Sequence, residues 1–245
     1  MIDALSAAVN SMGNDLVRMA GLSQNIANAT TPSFHREMLV SRSFTDYLAL
    51  GGGDEKSLAL IPVNTPVLET RIDQRPGALK YTGNPLDLAI EGNGYFEVAT
   101  SQGTAYTRQG NLRVDTHGRL VTEAGNPVLG SGGEIMPGSS QPVIDQSGKV
   151  MVGSKEVGRI QILTVSDPNK LVAIGSGLYA PGEETLTATD GSTRVRQGFL
   201  ETSNVSSMDE MVRMIETMRH FESAQRVVQG YDEMLDIAIR KLGEF

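Results

Sequence analysis

The chain has 245 residues, 39% of them hydrophobic, enough to bury a core in one domain or two. Its formal charge is -8 and no basic run appears, which argues against nucleic acid or anionic membrane as a partner, since both need clustered lysine and arginine. Cysteine is absent, which excludes disulfides and thiolate metal sites and permits passage into an oxidising compartment without mispairing.

Near the start, Ile2, Leu5, Val9, Met12, Leu16, Met19 and Ile26 recur at alternating steps of three and four, with Ser23 in the one polar place. This spacing predicts an amphipathic helix with a heptad seam. Gly13 and Gly21 each cost about 1 kcal/mol relative to alanine in a helix interior, and Ser6, Asn10, Ser11, Asn14, Asn25 and Asn28 add weak helix formers. Isolated helices are marginal in any case, so this one is expected to order fully only against partners. It should stop at Asn28-Ala29-Thr30-Thr31-Pro32, because Pro32 disfavours helical geometry at Thr31 and cannot extend the hydrogen-bond ladder. The pattern lacks a secretory signal, and no later run is long enough to span a bilayer. No direct membrane insertion is therefore expected, and any export would use another route.

Residues 35–57 read as a linker. Phe34 to Leu50 is ambiguous between a short helix and extended chain, and Gly51, Gly52 and Gly53 followed by Asp54, Glu55 and Lys56 read as an exposed loop. From 58 to 201 the period changes to two, with short apolar alternations between glycine, proline and asparagine, the pattern of an all-β domain. Leu86, Leu88 and Ile90 alternate with Asp87, Ala89 and Glu91, and Gly92-Asn93-Gly94 supplies positive-φ residues for a tight hairpin before Tyr95, Phe96, Glu97 and Val98. Further hairpins are predicted at Asp115-Thr116-His117-Gly118 and at Gln146-Ser147-Gly148, and Val157 to Val165 is the best later strand.

Ser207 and Glu210 form a capping box that opens a second long helix. Met208, Met211, Ile215, Met218, Phe221, Ala224, Val228, Tyr231, Leu235, Ala238 and Leu242 follow the heptad rhythm, with extra three-residue steps around Phe221 that a stammer would accommodate. Glu210 with Arg213, Glu216 with Arg219, Glu222 with Arg226 and Asp236 with Arg240 predict an outer, solvated face. The fold class is α+β. Terminal helices, 1–34 and 202–245, pair as a coiled-coil-like assembly domain, and short antiparallel strands form the centre. The competing arrangement packs both helices on the central domain of a monomer; the small residues of the first helix weigh against it.

No chemistry stands out. His35, His117 and His220 have no ligand spacing such as HxxxH. Asp87 and Glu91 share a strand face and could be imagined as an acid and base, but their alternation with Leu86, Leu88 and Ile90 favours a solvent face. Gly92-Asn93-Gly94 precedes a strand, whereas a phosphate loop needs a helix N-terminus. Neither a Gly-x-Ser-x-Gly elbow nor a compelling triad is found. No catalytic residue, cofactor or metal is expected.

Three motifs carry a resemblance. Ser23-Gln24-Asn25-Ile26-Ala27-Asn28-Ala29-Thr30-Thr31-Pro32-Ser33-Phe34 resembles the N-terminal signature of bacterial flagellar axial proteins, the rod and hook subunits. The run from Gly83, Asn84 and Pro85 through Asp87 to Gly92 and Gly94 resembles their central segment, and Glu201-Thr202-Ser203-Asn204-Val205 their C-terminal signature. The resemblance implies a non-enzymatic structural subunit, exported unfolded by the flagellar export apparatus without a cleaved signal and polymerised with other rod proteins and copies of itself into the periplasm-spanning rod needed for motility. It also implies that the terminal helices pair within a subunit and pack on neighbours along the inner wall of a tube. Met218-Arg219-His220-Phe221-Glu222 resembles the proximal rod, with distal-rod or hook-type members as the alternative and a non-flagellar tube protein as a further one. An extracellular or phage-type tube and an enzyme carried on the β domain are the competing classes.

Overall fold

The computed structural model describes residues 2–42, 67–166, 170–182, 186–188 and 193–243. The two heptad segments are helices, α1 (Ile2–Ala27) and α2 (Ser207–Gly243). α1 ends where Pro32 predicts, in turns closed by the Thr31 N–H on the Asn28 carbonyl at 3.0 Å and the Thr31 hydroxyl on the Asn28 side chain at 3.1 Å. The cap of α2 differs by one residue from the predicted box: Ser206, not Ser207, takes the Asp209 N–H on Oγ at 3.4 Å and the Glu210 N–H on its carbonyl at 3.0 Å. The Glu210 carboxylate is buried and accepts Asn25 Nδ2 at 3.0 Å.

Two compact units divide the chain. The helical unit contains α1, α2 and the segment 37–71, in which β1 (Glu37–Arg42) pairs with β2 (Val67–Ile72). Part of the predicted linker is therefore a strand, with the extended reading realised at 37–42; the predicted glycine loop at 51–56 and the start of the predicted β domain at 58–66 lie outside the described residues. The β unit takes residues 28–36 as well as 72–205.

Within the β unit, β3 (Leu79–Tyr81) and β4 (Leu88–Glu91) are followed by β5 (Tyr95–Thr100), β6 (Gly103–Thr107), β7 (Leu112–Val114) and β8 (Leu120–Thr122). The short pairs β9 (Leu129–Gly130) with β10 (Gly133–Glu134) and β11 (Val143–Ile144) with β12 (Lys149–Val152) come next, then β13 (Lys155–Arg159) and β14 (Ile162–Val165). β15 (Val172–Gly175), β16 (Leu178–Ala180), β17 (Leu186–Ala188), β18 (Arg194–Gln197) and β19 (Phe199–Glu201) complete it. The largest sheet runs β15-β16-β6-β5-β14-β17, and every strand pair in the unit is antiparallel. Leu88, Ile90, Phe96, Val98, Val128 and Val195 are among the fully buried side chains of one core.

The predicted hairpins at Asp115–Gly118 (β7–β8) and Gln146–Gly148 (β11–β12) form. At the first, the Asp115 carboxylate accepts the N–H groups of Arg119 and His117 at 2.8 and 2.9 Å and the Arg119 Nε at 2.8 Å. The Arg119 backbone bond is the main cause holding the Asp115 carboxyl down to about 2. The hairpin predicted at Gly92–Gly94 does not form. β4 pairs with β18, Ile90 opposite Val195, while β5 pairs with β6 and β14. Leu88, Ala89 and Ile90 are all buried and only Glu91 at the end of β4 is exposed, and the glycine turn carries the chain from one sheet to another. The predicted strand from Val157 to Val165 is likewise divided between β13 and β14, in different sheets.

Gly110 shows how tightly these layers approach. Leu88 donates its N–H to the Gly110 carbonyl at 2.9 Å, and a Cβ on Gly110 would collide with the Leu88 carbonyl. Gly110→Ala should therefore force the backbones apart and cost about 1–3 kcal/mol or more, read as a lower denaturant midpoint with an unchanged slope.

Candidate functional site

The three family-like motifs carry no catalytic arrangement; the β unit brings parts of them to one buried junction. Glu201, at the end of β19, is 1% exposed, and its carboxylate accepts Arg108 Nε at 2.6 Å and the Gly77 N–H at 2.8 Å, with His35 Nε2 at 3.4 Å. Arg108 in turn donates to the carbonyls of Gly94 at 3.1 Å and Gly92 at 2.8 Å. The glycine turn thus presents its carbonyls to a guanidinium, whose rigid fork can serve several acceptors at once. The Ser33 N–H, from the end of the first motif, donates to the Glu201 carbonyl at 2.9 Å. Burial pushes the Glu201 carboxyl upward, but the nearby His35 ring, the Arg108 charge and bond, and the Gly77 amide outweigh it and hold the group below its ordinary value.

Neighbouring motif residues close turns of the same kind. Asn204 accepts the Arg36 N–H at 2.7 Å on its side-chain oxygen and donates to the carbonyls of Asp73 and Arg75 at 3.1 and 2.7 Å. Beside it, the Val205 N–H donates to Ser203 Oγ at 3.2 Å. Asp87, predicted on a solvent face, is instead buried and accepts from Thr82 at 2.6 Å and Asn84 at 2.9 Å. Gly83, at φ 75°, turns the chain into this loop, and the Pro85 carbonyl accepts Gln197 Nε2 at 2.8 Å. Glu91 remains exposed and pairs with Arg196 across β4 and β18 at 3.0 Å. The imagined acid and base are therefore separate structural groups.

In the helical unit, Asn25 faces Glu210 and Asp15 faces His220, so α1 and α2 run antiparallel with one-for-one register. Asn25 is 1% exposed. It donates to Glu210 Oε2 at 3.0 Å and to the Glu37 carbonyl at 2.8 Å, and accepts the Glu37 N–H at 2.9 Å. Asp15, buried on α1, meets the exposed His220.

Half of each predicted seam faces inward. On α1, Leu5, Met12, Met19 and Ile26 are half-buried with Ala8, Asp15 and Leu22 beside them, whereas Val9 and Leu16 are 54% and 55% exposed and Ser23 is exposed. On α2 the inward line is Glu210, Met214, Thr217, Phe221, Ala224, Val228 and Tyr231, an unbroken heptad that needs no stammer. Met208, Met211, Ile215 and Met218 sit one position round the helix and are exposed, as is Leu235. The polar residues decide this rotation: Asn25 draws Glu210 inward, and Thr217 satisfies its own hydroxyl on the Arg213 carbonyl at 2.8 Å. Glu210 is thereby removed from the predicted outer salt-bridge face, on which Asp236–Arg240 forms at 2.8 Å. The side chains of Ile2 and Leu242 lie outside the described part.

Arg108, Gly77, Asp15 and the inward role of Glu210 were not legible as site residues. The available signal for Arg108 and Glu201 was that neither has an opposite charge within four positions along the chain. Among the described residues no cluster of three or more metal-ligating side chains occurs and no helix is long and apolar enough to cross a membrane.

The family model for the flagellar basal body rod FlgEFG protein C-terminal matches residues 196–241, and that for the flagellar hook protein FlgE/F/G D1 domain matches residues 89–152. The chain is 34% identical to the flagellar basal-body rod protein FlgG of Bacillus subtilis, over 96% of this chain and 97% of that one. It is 31% identical to FlgG of Borreliella burgdorferi, over 97% and 98%, and 31% identical to the rod protein FlgF of Salmonella typhimurium, over 95% of both. Likeness that runs end to end, together with a buried junction built from the motifs themselves, places this chain in the family of flagellar basal-body rod proteins as a structural subunit of the bacterial flagellum.

Proposed function

We propose that this chain occupies the proximal part of the rod, is exported unfolded by the flagellar export apparatus without a cleaved signal, and assembles in the periplasm through its terminal helices as coiled-coil-like seams, with no catalytic, metal or cofactor role. The observation that carries it is the exposed apolar half of each helix, Val9 and Leu16 on α1 and Met208, Met211, Ile215 and Met218 on α2. Burying such surface stabilises association by about 25 cal/mol per Å², and a contact that does not close on itself yields a tube. The division at 34 and 202 into an assembly part and a β part belongs to the same reading. The proximal position rests on Met218-Arg219-His220-Phe221-Glu222, whose His220 holds the buried Asp15; a distal-rod or hook-type place is the second reading.

Deletion of the gene tests the rod assignment: loss of motility with a truncated basal body supports it, whereas intact flagella would overturn it. A subunit-resolved map of an isolated basal body tests the proximal place, and this chain found only in the distal rod or hook would overturn it. For the seam, Leu16→Asp alters an exposed side chain, so monomer stability should change by no more than about 0.5 kcal/mol. A charge buried at an assembly contact costs several kcal/mol unless paired, so rods should be missing while export continues; normal rods from this variant would refute the seam. The turns of α1 before Asp15 are expected to exchange amide hydrogens fast in free subunits, and slow exchange throughout residues 2–29 would show that assembly is not what orders them.

A further inference from the structure

Among the described residues, the register of the helix pair leaves one end of α2 extending beyond α1. Asn25 opposite Glu210 and Asp15 opposite His220 bring the start of α1, Ile2, level with Glu233. The last turns of α2, from Met234 to Gly243, therefore run on beyond α1 for about 15 Å at 1.5 Å per residue. In the sequence the heptad spacing continues there as Leu235, Ala238 and Leu242, and Met234, Leu235, Ile237 and Ile239 are exposed. At the other end of the same helix, Met208, Met211, Ile215 and Met218 form an exposed stripe that also spans about 15 Å. It then turns polar at Glu222, Gln225 and Gln229, which limits its length.

We propose that the overhanging last turns of α2 dock on the Met208–Ile215 stripe of a second copy, joining copies head to tail. Leu235, Ala238 and Leu242 repeat the three-then-four spacing of Met208, Met211 and Ile215, so two parallel helix segments mesh as one continued heptad. On the overhanging segment the contact continues the line of α2 that α1 covers as far as Tyr231 in each copy. One chain cannot satisfy both halves, since they lie about 40 Å apart on a single straight helix. Two different surfaces meet, so the association is open-ended. This inference rests on the assembly role proposed above and adds which segments meet.

The chain has no cysteine, so introduced thiols report only on themselves. The full-length Met208→Cys/Leu235→Cys double variant, concentrated and oxidised, should give a ladder of disulfide-linked dimers, trimers and longer species on a denaturing gel. Each single variant should remain monomeric. A double variant without the ladder, or a single variant that dimerises by like-to-like contact, overturns the proposal. Both positions are exposed, and an unchanged circular dichroism spectrum identifies folded samples. Motility after gene deletion reads the rod assignment separately: intact motility would sink that assignment, whereas a missing ladder with motility lost on deletion sinks only this docking register.

Discussion

Glu201→Ala should lower the stability of the β unit by roughly 3–5 kcal/mol, because it strands the buried Arg108 guanidinium whose Nε it accepts at 2.6 Å. For a unit of this size each kcal/mol shifts the melting temperature by about 2–4 °C, so a fall near 10 °C is expected in calorimetry. Arg108→Lys should recover little, since an ammonium cannot serve Glu201 and the Gly92 and Gly94 carbonyls with one planar fork. The pH dependence has a definite sign. Glu201 is held below its ordinary value of 4.5, so its contribution is present at neutral pH and is lost as pH falls below 4.5 through the folded value. Glu201→Gln should flatten that part of the acid unfolding curve; an unchanged curve would show that the carboxylate is not the group concerned.

The second large effect belongs to the helix pair. Asn25→Ala removes a charge-assisted hydrogen bond to Glu210 and two to the Glu37 backbone, together about 2–4 kcal/mol. The loss should concentrate where α1, β1 and α2 meet, visible as faster amide exchange around Asn25 and Glu37 with the β core unaffected. Asn25→Asp is more informative, because it sets a second carboxylate against Glu210. Like charges at that spacing disfavour joint ionisation, so the variant should be weakest at neutral pH and regain stability on acidification, opposite in sign to the Glu201 effect. A pH-independent Asn25→Asp variant would contradict the geometry.

Local chemistry explains which features were legible. Heptad spacing marked both helices, Pro32 marked the stop of α1, and the Asp115 and Gln146 turns marked two hairpins, since each depends on residues close in sequence. Motif order pointed to the family for the same reason. Three errors share the opposite cause. Gly92-Asn93-Gly94 has the composition of a hairpin turn, but Arg108, fourteen or more positions on, takes its carbonyls and Leu88, Ala89 and Ile90 of β4 are buried. Asp87 alternates like a surface residue, yet it is buried where its carbonyl accepts the N–H of the remote Gly198 at 2.8 Å. Glu210 looks like a cap and an outer-face charge until Asn25, 185 positions away, draws it inside.

By itself the sequence determined two amphipathic terminal helices, a β centre, the absence of thiols and basic clusters, and the membership carried by its motifs. Only the tertiary structure decided which sheet each strand joins, that Arg108 and Glu201 bind the motifs together, and that α1 and α2 meet in a register leaving the last turns of α2 beyond α1. The physical reason is distance along the chain. Periodicity states which residues can share a helix face, but the face turned inward is chosen by where buried polar groups find partners, and those partners come from remote segments.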